Sequence, residues 1–203
     1  MKIYSRDDIL NLLSLSPRRF EHTLGTERAA LELAKLHHPD IDMEKVSFSA
    51  LLHDMTKEYS LEDHIAVAKK FGIEFSPEEI RTPKLLHSKT ASYICRYDLK
   101  LSEDVCDAVF FHTTGKKEML PLEEILYFAD YIEDTRKDEE CIELRKNYLE
   151  LLEEYEPRLA LDKALVLSFN RTISGLMKKD QLIDKNTIDA RNYYLSRTWK
   201  TGV

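Results

Sequence analysis

The sequence is poor in residues that break helices. Only 5 glycines and 6 prolines punctuate 203 residues, so long uninterrupted segments are expected. It also lacks an internal repeat, a low-complexity linker and a composition break, which together predict one domain over residues 1–203. Its motif core spans about 16–135, with C-terminal helices at about 139–200 packing on it. Cysteine is scarce: Cys95, Cys106 and Cys141 lie far apart and form no CxxC pair. That excludes a disulfide framework and a zinc knuckle, and leaves reduced thiols packed as small hydrophobes. No apolar run approaches the ~20 residues that span a bilayer. The opening MKIYSRDDILNLL has neither the apolar stretch nor the cleavage site of a secretion signal. A cytoplasmic protein without a membrane partner is expected. Positive charge is in deficit as well: the formal net charge is −7, and no basic face stands out. Binding to a nucleic acid polymer is therefore not expected. A small phosphorylated ligand stays compatible, because a few local cations or metal ions can hold one.

What the sequence does have is helical period. Apolar residues make up 43% of the chain and charged residues 33%, a globular composition. Almost no segment alternates like a strand, so the predicted fold is all-α. The first helix starts after Ser5. The second takes Ser16 as N-cap and Pro17 as its first residue, and runs to about His38 before Pro39. Further helices are predicted at about 42–54, 61–71, 83–97, 102–113, 121–134, 139–153, 158–179 and 187–199, with a short turn of helix opened by Ser76-Pro77. Leu161, Leu165, Phe169, Ile173 and Met177 form an i, i+4 stripe that reads as a core face. The charged run KDEECIELRKNYLELLEEYE reads as a solvated face with some i, i+4 ion pairs.

Several titratable residues fall on the apolar faces of these helices. His112 follows Val105, Ala108 and Val109 at helical spacing. Asp130 follows Leu122, Ile125, Leu126 and Ala129, and His53-Asp54 follows Val46 and Ala50. His87 shares a face with Ala91 and Ile94. His22 shares one with Gly25 and Ala29, small enough to let another element approach closely. Burying ionised Asp54 and Asp130 costs several kcal/mol unless something compensates them. A cation among four imidazoles would do so, and this donor set suits iron, manganese, cobalt or zinc better than calcium or magnesium. Periodicity alone does not discriminate, because His64 also lies on an apolar face. His37, His38 and His64 are assigned structural roles.

The order His22, His53-Asp54, His87, His112, Asp130 resembles the HD-domain metal phosphohydrolases. More narrowly, the chain is similar to the YqeK-type symmetrical bis(5′-nucleosyl)-tetraphosphatases, which split diadenosine tetraphosphate into two ADP. The resemblance rests on RRFEHTLGT, ALLHDMTK, KLLHSKTASY, FHTTG and ILYFADYIED, and on ELRK, LDKAL and NTIDARN further on. It implies a helical HD fold with two divalent transition-metal ions at the centre of the bundle, iron first, with manganese or cobalt as substitutes. By the same resemblance His22, His53, Asp54 and Asp130 hold one ion, and Asp54 bridges to a second held by His87 and His112. The implied chemistry is attack of a metal-bound hydroxide on a phosphorus atom, with Asp54 and Lys57 as catalytic residues. Three positions depart from the family. Ser88-Lys89 replaces Gly-Pro after His87, Asp134 replaces a proline, and Gly25-Thr26 replaces Gly-Val. None removes a ligand.

Substrate contacts are less constrained. Lys57, three residues after Asp54, and Arg19, three before His22, each read either as a cation for phosphate or as a surface residue. Thr113 and Thr114, with Gly115, either contact phosphate or cap a helix. Asp134 and Arg136 either serve the site or form a surface ion pair, and Lys89 is a phosphate candidate. The expected partner is a small nucleotide, and a homodimer stays open. Two other functions remain. One is another HD phosphohydrolase, acting on a nucleoside 5′-monophosphate or a guanosine polyphosphate. The other is a non-catalytic module that binds a nucleotide.

Overall fold

The structure is a computed structural model that describes residues 3–199; the expected domain limits at 1 and 203 lie outside them. The described residues contain helices and turns and no strand, as the period predicts. The helices are α1 (Arg6–Leu12), α2 (Pro17–His37), α3 (Met43–Leu52), α4 (Leu61–Lys70), α5 (Pro77–Arg81), α6 (Leu86–Tyr93), α7 (Glu103–Phe111), α8 (Pro121–Ile132), α9 (Glu139–Glu154), α10 (Pro157–Met177) and α11 (Lys185–Trp199). None is long and apolar enough to cross a membrane.

Short polar side chains start these helices by accepting from otherwise unpaired backbone N–H groups. Ser5 with Asp8, Ser60 with Asp63 and Ser76 with Glu79 form reciprocal capping boxes. Ser16 caps α2, and its own N–H and hydroxyl donate to Glu58 at 2.8 and 2.6 Å. The start of α2 is thereby tied to the turn that follows α3. Two expected helices are divided differently. The segment predicted as 42–54 leaves the α-helix at Leu52, and His53 to Glu58 continue as turns. The segment predicted as 83–97 is a 3-10 turn (Pro83–Leu85), then α6, then a π-turn (Ile94–Asp98) whose wider ring is closed by Leu99 N–H on Ile94 O at 3.0 Å.

The centre of this single helical domain is α8. It packs on α2, α3, α7, α9 and α10. Ile125, Leu126, Tyr127, Phe128 and Ala129 are all buried, as are Val46, Ala50, Leu51 and Leu52 of α3. Each fully buried large aliphatic side chain contributes about 1.5–3 kcal/mol. The stripe on α10 is core only in its first half: Leu161, Leu165 and Phe169 are buried, whereas Met177 is 64% exposed. The charged run forms α9, with Lys146–Glu150 as an i, i+4 pair and Cys141, Leu144 and Tyr148 on its buried face. All three cysteines are free and buried.

One turn links the C-terminal helices to the rest. After α7 the chain turns at Gly115, whose φ is +63°. Thr187 of α11 donates to Thr114 O at 3.0 Å. A Cβ at Gly115 would lie 2.7 Å from Phe169 Cζ, far inside contact distance. Gly115→Ala is expected to cost ~2–5 kcal/mol, from a left-handed backbone (about 1–2) and overpacking (about 1–3). Urea unfolding of the metal-free protein checks this.

Candidate metal centre

Four histidine rings are aimed at one another by the hydrogen bonds on their outer nitrogens. Nδ1 of His53, His87 and His112 lies 2.6, 2.7 and 2.7 Å from the carbonyls of Ala50, Lys84 and Val109. A carbonyl only accepts, so each Nδ1 carries a proton and each ring turns its Nε2 inward. His22 differs: its Nδ1 faces a carboxylate, Glu133 Oε1, at 3.0 Å. The inward atoms converge. His22 and His53 Nε2 are 3.3 Å apart, and His87 and His112 Nε2 are 3.1 Å apart.

Asp54 stands between these two pairs. Its Oδ1 is 3.1 Å from His87 Nε2 and 3.6 Å from His112 Nε2. Its Oδ2 is 3.6 Å from both His22 and His53 Nε2. Asp130 Oδ1 lies 3.0 Å from His22 Nε2 and 3.8 Å from His53 Nε2. His53 is 0% exposed and Asp54 2%. Asp54 Oδ1 accepts no well-formed hydrogen bond, although three nitrogens lie within 3.6 Å of it. Facing lone pairs and an orphaned carboxylate oxygen in a dry site repel one another unless a cation sits among them. Two groups of donor atoms lie within 4.8 Å of one another: His22, His53 and Asp130, and His53, Asp54 and His112. The donors therefore fit divalent transition-metal ions.

Charge in the metal-free site follows from burial and pairing. Burial pushes His53 down to about 3 and His87 down to about 4, so both are neutral. Burial would push His22 down too, but hydrogen bonds to Asp130 and Glu133 outweigh it and raise it to about 9. Burial would raise Asp54 and Asp130; the imidazoles and the cations Lys57 and Arg136 hold both well below the usual carboxylate range. His22 must lose a proton before it can bind a metal, whereas His53 and His87 need not. Metal uptake near pH 7.5 is therefore expected to release about one proton, with apparent affinity falling about tenfold per pH unit below pH 9. Calorimetry in buffers of different ionisation enthalpy reads this directly. For the metal-free fold the sign is opposite. The raised His22 stabilises fully below its unfolded value of 6.5, and that contribution is lost as pH rises through about 9.

Around these candidate donors sit three of the expected cations. Arg19 Nη1 pairs with Asp54 Oδ2 at 2.7 Å, and Arg136 pairs with Asp130. Lys57 Nζ is 3.4 Å from Asp54 Oδ1 and 3.0 Å from His87 Nε2. It reaches them although α3 has ended, because the turn closes with Lys57 N–H on Asp54 O at 2.9 Å. Thr113 Oγ1 lies 3.3 Å from His112 Nε2. A cavity of about 420 Å³ opens beside His22 and is lined by Arg18, Arg19, Arg136 and Lys137 among others.

Three expected substrate contacts are engaged elsewhere. Lys89 is held by Glu79 and lies over the Phe110 ring. Asp134 pairs with Arg28 on the exposed surface. Thr114 turns its hydroxyl to Gly115 O, in the turn rather than at the ligands. The other histidines also lie apart from the cluster. His37 meets Tyr148 OH at 2.6 Å, and His38 faces Glu124. His64 meets Thr90 Oγ1 at 2.9 Å, and Thr90 in turn meets Thr56, which donates to His87 O. Glu133 is the residue the sequence reading missed. Its signal was indirect: a glycine one turn after His22, inside a helix, where glycine is disfavoured.

A family model described as HD domain matches residues 19–135. A protein named symmetrical bis(5′-nucleosyl)-tetraphosphatase from Halalkalibacterium halodurans is 31% identical over 184 residues, 89% of this chain and 91% of its own. One of the same name from Bacillus subtilis is 31% identical over 185 residues, 90% and 92% of the two chains. The crystal structure of a protein from Clostridium acetobutylicum, described as a predicted HD superfamily hydrolase involved in NAD metabolism, matches with a TM-score of 0.83 at 36% identity, covering 97% of this chain and 100% of its own. The chain belongs to the HD-domain hydrolases and, within them, to the YqeK-type symmetrical bis(5′-nucleosyl)-tetraphosphatase family. HD domains are metal-dependent, in keeping with the donor set described above.

Proposed function

We propose that this chain hydrolyses dinucleoside tetraphosphates symmetrically, converting diadenosine tetraphosphate and water into two ADP. The observation that carries the reading is the convergence of four histidine Nε2 atoms and two carboxylates beside a cavity whose lining includes Arg18, Arg19, Arg136 and Lys137 as well as Glu21 and Asp138. Two divalent ions would be held there, one by His22, His53, Asp54 and Asp130, the other by Asp54, His87 and His112. Iron is the first candidate, and manganese or cobalt would serve. Bound ions would supply an acidified water and neutralise phosphoryl oxygens.

The chain's own groups account for the rest. Asp54 turns one oxygen toward each half of the cluster and so couples the two. Lys57 is placed to neutralise a phosphoryl oxygen as charge develops on it. The Thr113 hydroxyl, beside His87 and His112, can donate to a neighbouring oxygen. Arg19 is 30% exposed and Arg136 28%, so each can swing from its carboxylate to a phosphate. In the reaction, water oxygen joins one of the two central phosphorus atoms. The bond from that phosphorus to the central bridging oxygen breaks, and the bridging oxygen leaves with the second ADP. Product analysis after incubation with diadenosine tetraphosphate tests the proposal. ADP as the sole nucleotide product supports it. AMP with ATP, or inertness while a nucleoside monophosphate or guanosine polyphosphate is cleaved, contradicts it.

A further inference from the structure

Three of the four inward-facing histidines are oriented by neutral carbonyls, and His22 alone is oriented by a carboxylate. That carboxylate, Glu133, is 1% exposed at the C-terminal end of α8. Everything around it fixes its position. Thr135 donates its backbone N–H to Oε2 at 2.6 Å and its hydroxyl to Oε1 at 2.9 Å. Arg145 of α9 donates to the Ile132 and Glu133 carbonyls, which end α8. Gly25, one turn after His22, leaves the space that the carboxylate fills. A Cβ there would collide with Glu133 Oε2 and sit 3.1 Å from its Cδ and 3.2 Å from Thr135 Cγ2. The Glu133 carboxylate thus meets three hydrogen-bonding groups, His22 Nδ1 at 3.0 Å and the N–H and hydroxyl of Thr135.

An ionised acceptor on Nδ1–H makes the opposite nitrogen a stronger donor to metal than a carbonyl does. The cluster is therefore unequal. The half around His22 has Asp130, Glu133 and Asp54 Oδ2, with Arg19 and Arg136 as counter-charges. The half around His87 and His112 has Asp54 Oδ1 and the Lys57 ammonium. Those three cations are each about a third exposed or a little less and can turn outward; Glu133 cannot.

We propose that Glu133, locked by Thr135 and by the missing side chain at Gly25, is a positioning residue that makes the His22–His53–Asp130 half the tighter of two ion positions. The proposal rests on the two-ion reading above. The two halves then fill in order, the His22 half first.

Anaerobic titration of the metal-free protein with Mn²⁺, at a pH high enough that uptake no longer releases a proton and following free ion by its electron paramagnetic resonance, tests this. The wild type is expected to bind in two steps. In Glu133→Gln, which keeps an acceptor and removes the charge, the tighter step should weaken about tenfold or more, while the looser step stays within about twofold, a difference between steps that a merely structural role would not produce. The His22 Nδ1 proton resonance, far downfield beside a carboxylate, should move upfield in the same variant. Should that variant melt below the assay temperature, Thr135→Val keeps the charge and removes one of its bonds. It should weaken the same step several-fold. Two-step binding that both variants leave unchanged, or equal weakening of both steps, overturns the role of Glu133 alone. Uptake by the wild type no greater than that of Asp54→Ala overturns the two-ion reading and this proposal with it.

Discussion

Asp54→Ala is expected to lose metal and turnover together. The Asp54 carboxylate is within 3.6 Å of all four Nε2 atoms, so its loss removes a donor from both halves. Losing the ions removes several kcal/mol of charge stabilisation, on the order of a 10³-fold drop in kcat/KM or more. The variant also leaves Arg19 and Lys57 without their anion. Removing one partner of a buried pair costs ~3–5 kcal/mol. The lower end applies here, because Arg19 is 30% and Lys57 33% exposed and both can reach water. Asp54→Asn separates the two effects: it keeps the volume and most of the stability, and should still fail to bind metal. Metal content per chain, ADP release and the melting temperature of both variants check this. Turnover retained by either variant contradicts a centre built on Asp54.

The second large effect is expected at Lys57, with a different signature. Its ammonium sits on Asp54 Oδ1 and His87 Nε2, two atoms that the reading assigns to an ion. Lys57→Ala should therefore bind metal as tightly as the wild type or more tightly. Turnover should nevertheless fall about 10²–10³-fold in kcat, as when one group facing developing charge is removed. KM should change little, because the group acts on charge that grows only in the transition state. Loss of metal along with rate would mean that Lys57 only supports the ligands. A kcat within about twofold of the wild type would mean that another cation, such as Arg19 or Arg136, meets the phosphoryl group.

The helices were legible in the sequence because they depend on local order, and the six candidate donors because their order along the chain resembles that of the family. Ser5, Ser16 and Ser76 mark helix starts by a side-chain oxygen that reaches backbone three residues on. Helical period turned the ligand histidines inward, but it turned His64 inward equally, and only tertiary packing sends that ring to Thr90. Glu133 escaped notice for the same reason. It lies just past the end of α8, and its approach to His22 depends on how α8 crosses α2, which no spacing encodes. Lys89, Thr114 and Asp134 show the converse: nearness in sequence to His87, His112 and Asp130 did not fix where their side chains point. Glu79, the turn at Gly115 and Arg28 each hold one of them. At the Ser88-Lys89 departure Ser88 donates to Leu85 O at 3.0 Å within the same turn, and His87 still faces Lys84 O and His112.

Anaerobic purification followed by metal quantification and the diadenosine tetraphosphate assay on one sample tests the central claim most directly. Near two transition-metal ions per chain are expected, with ADP as the sole product and both properties lost in Asp54→Ala. Full turnover by a protein that holds less than one ion per chain after reconstitution would contradict it.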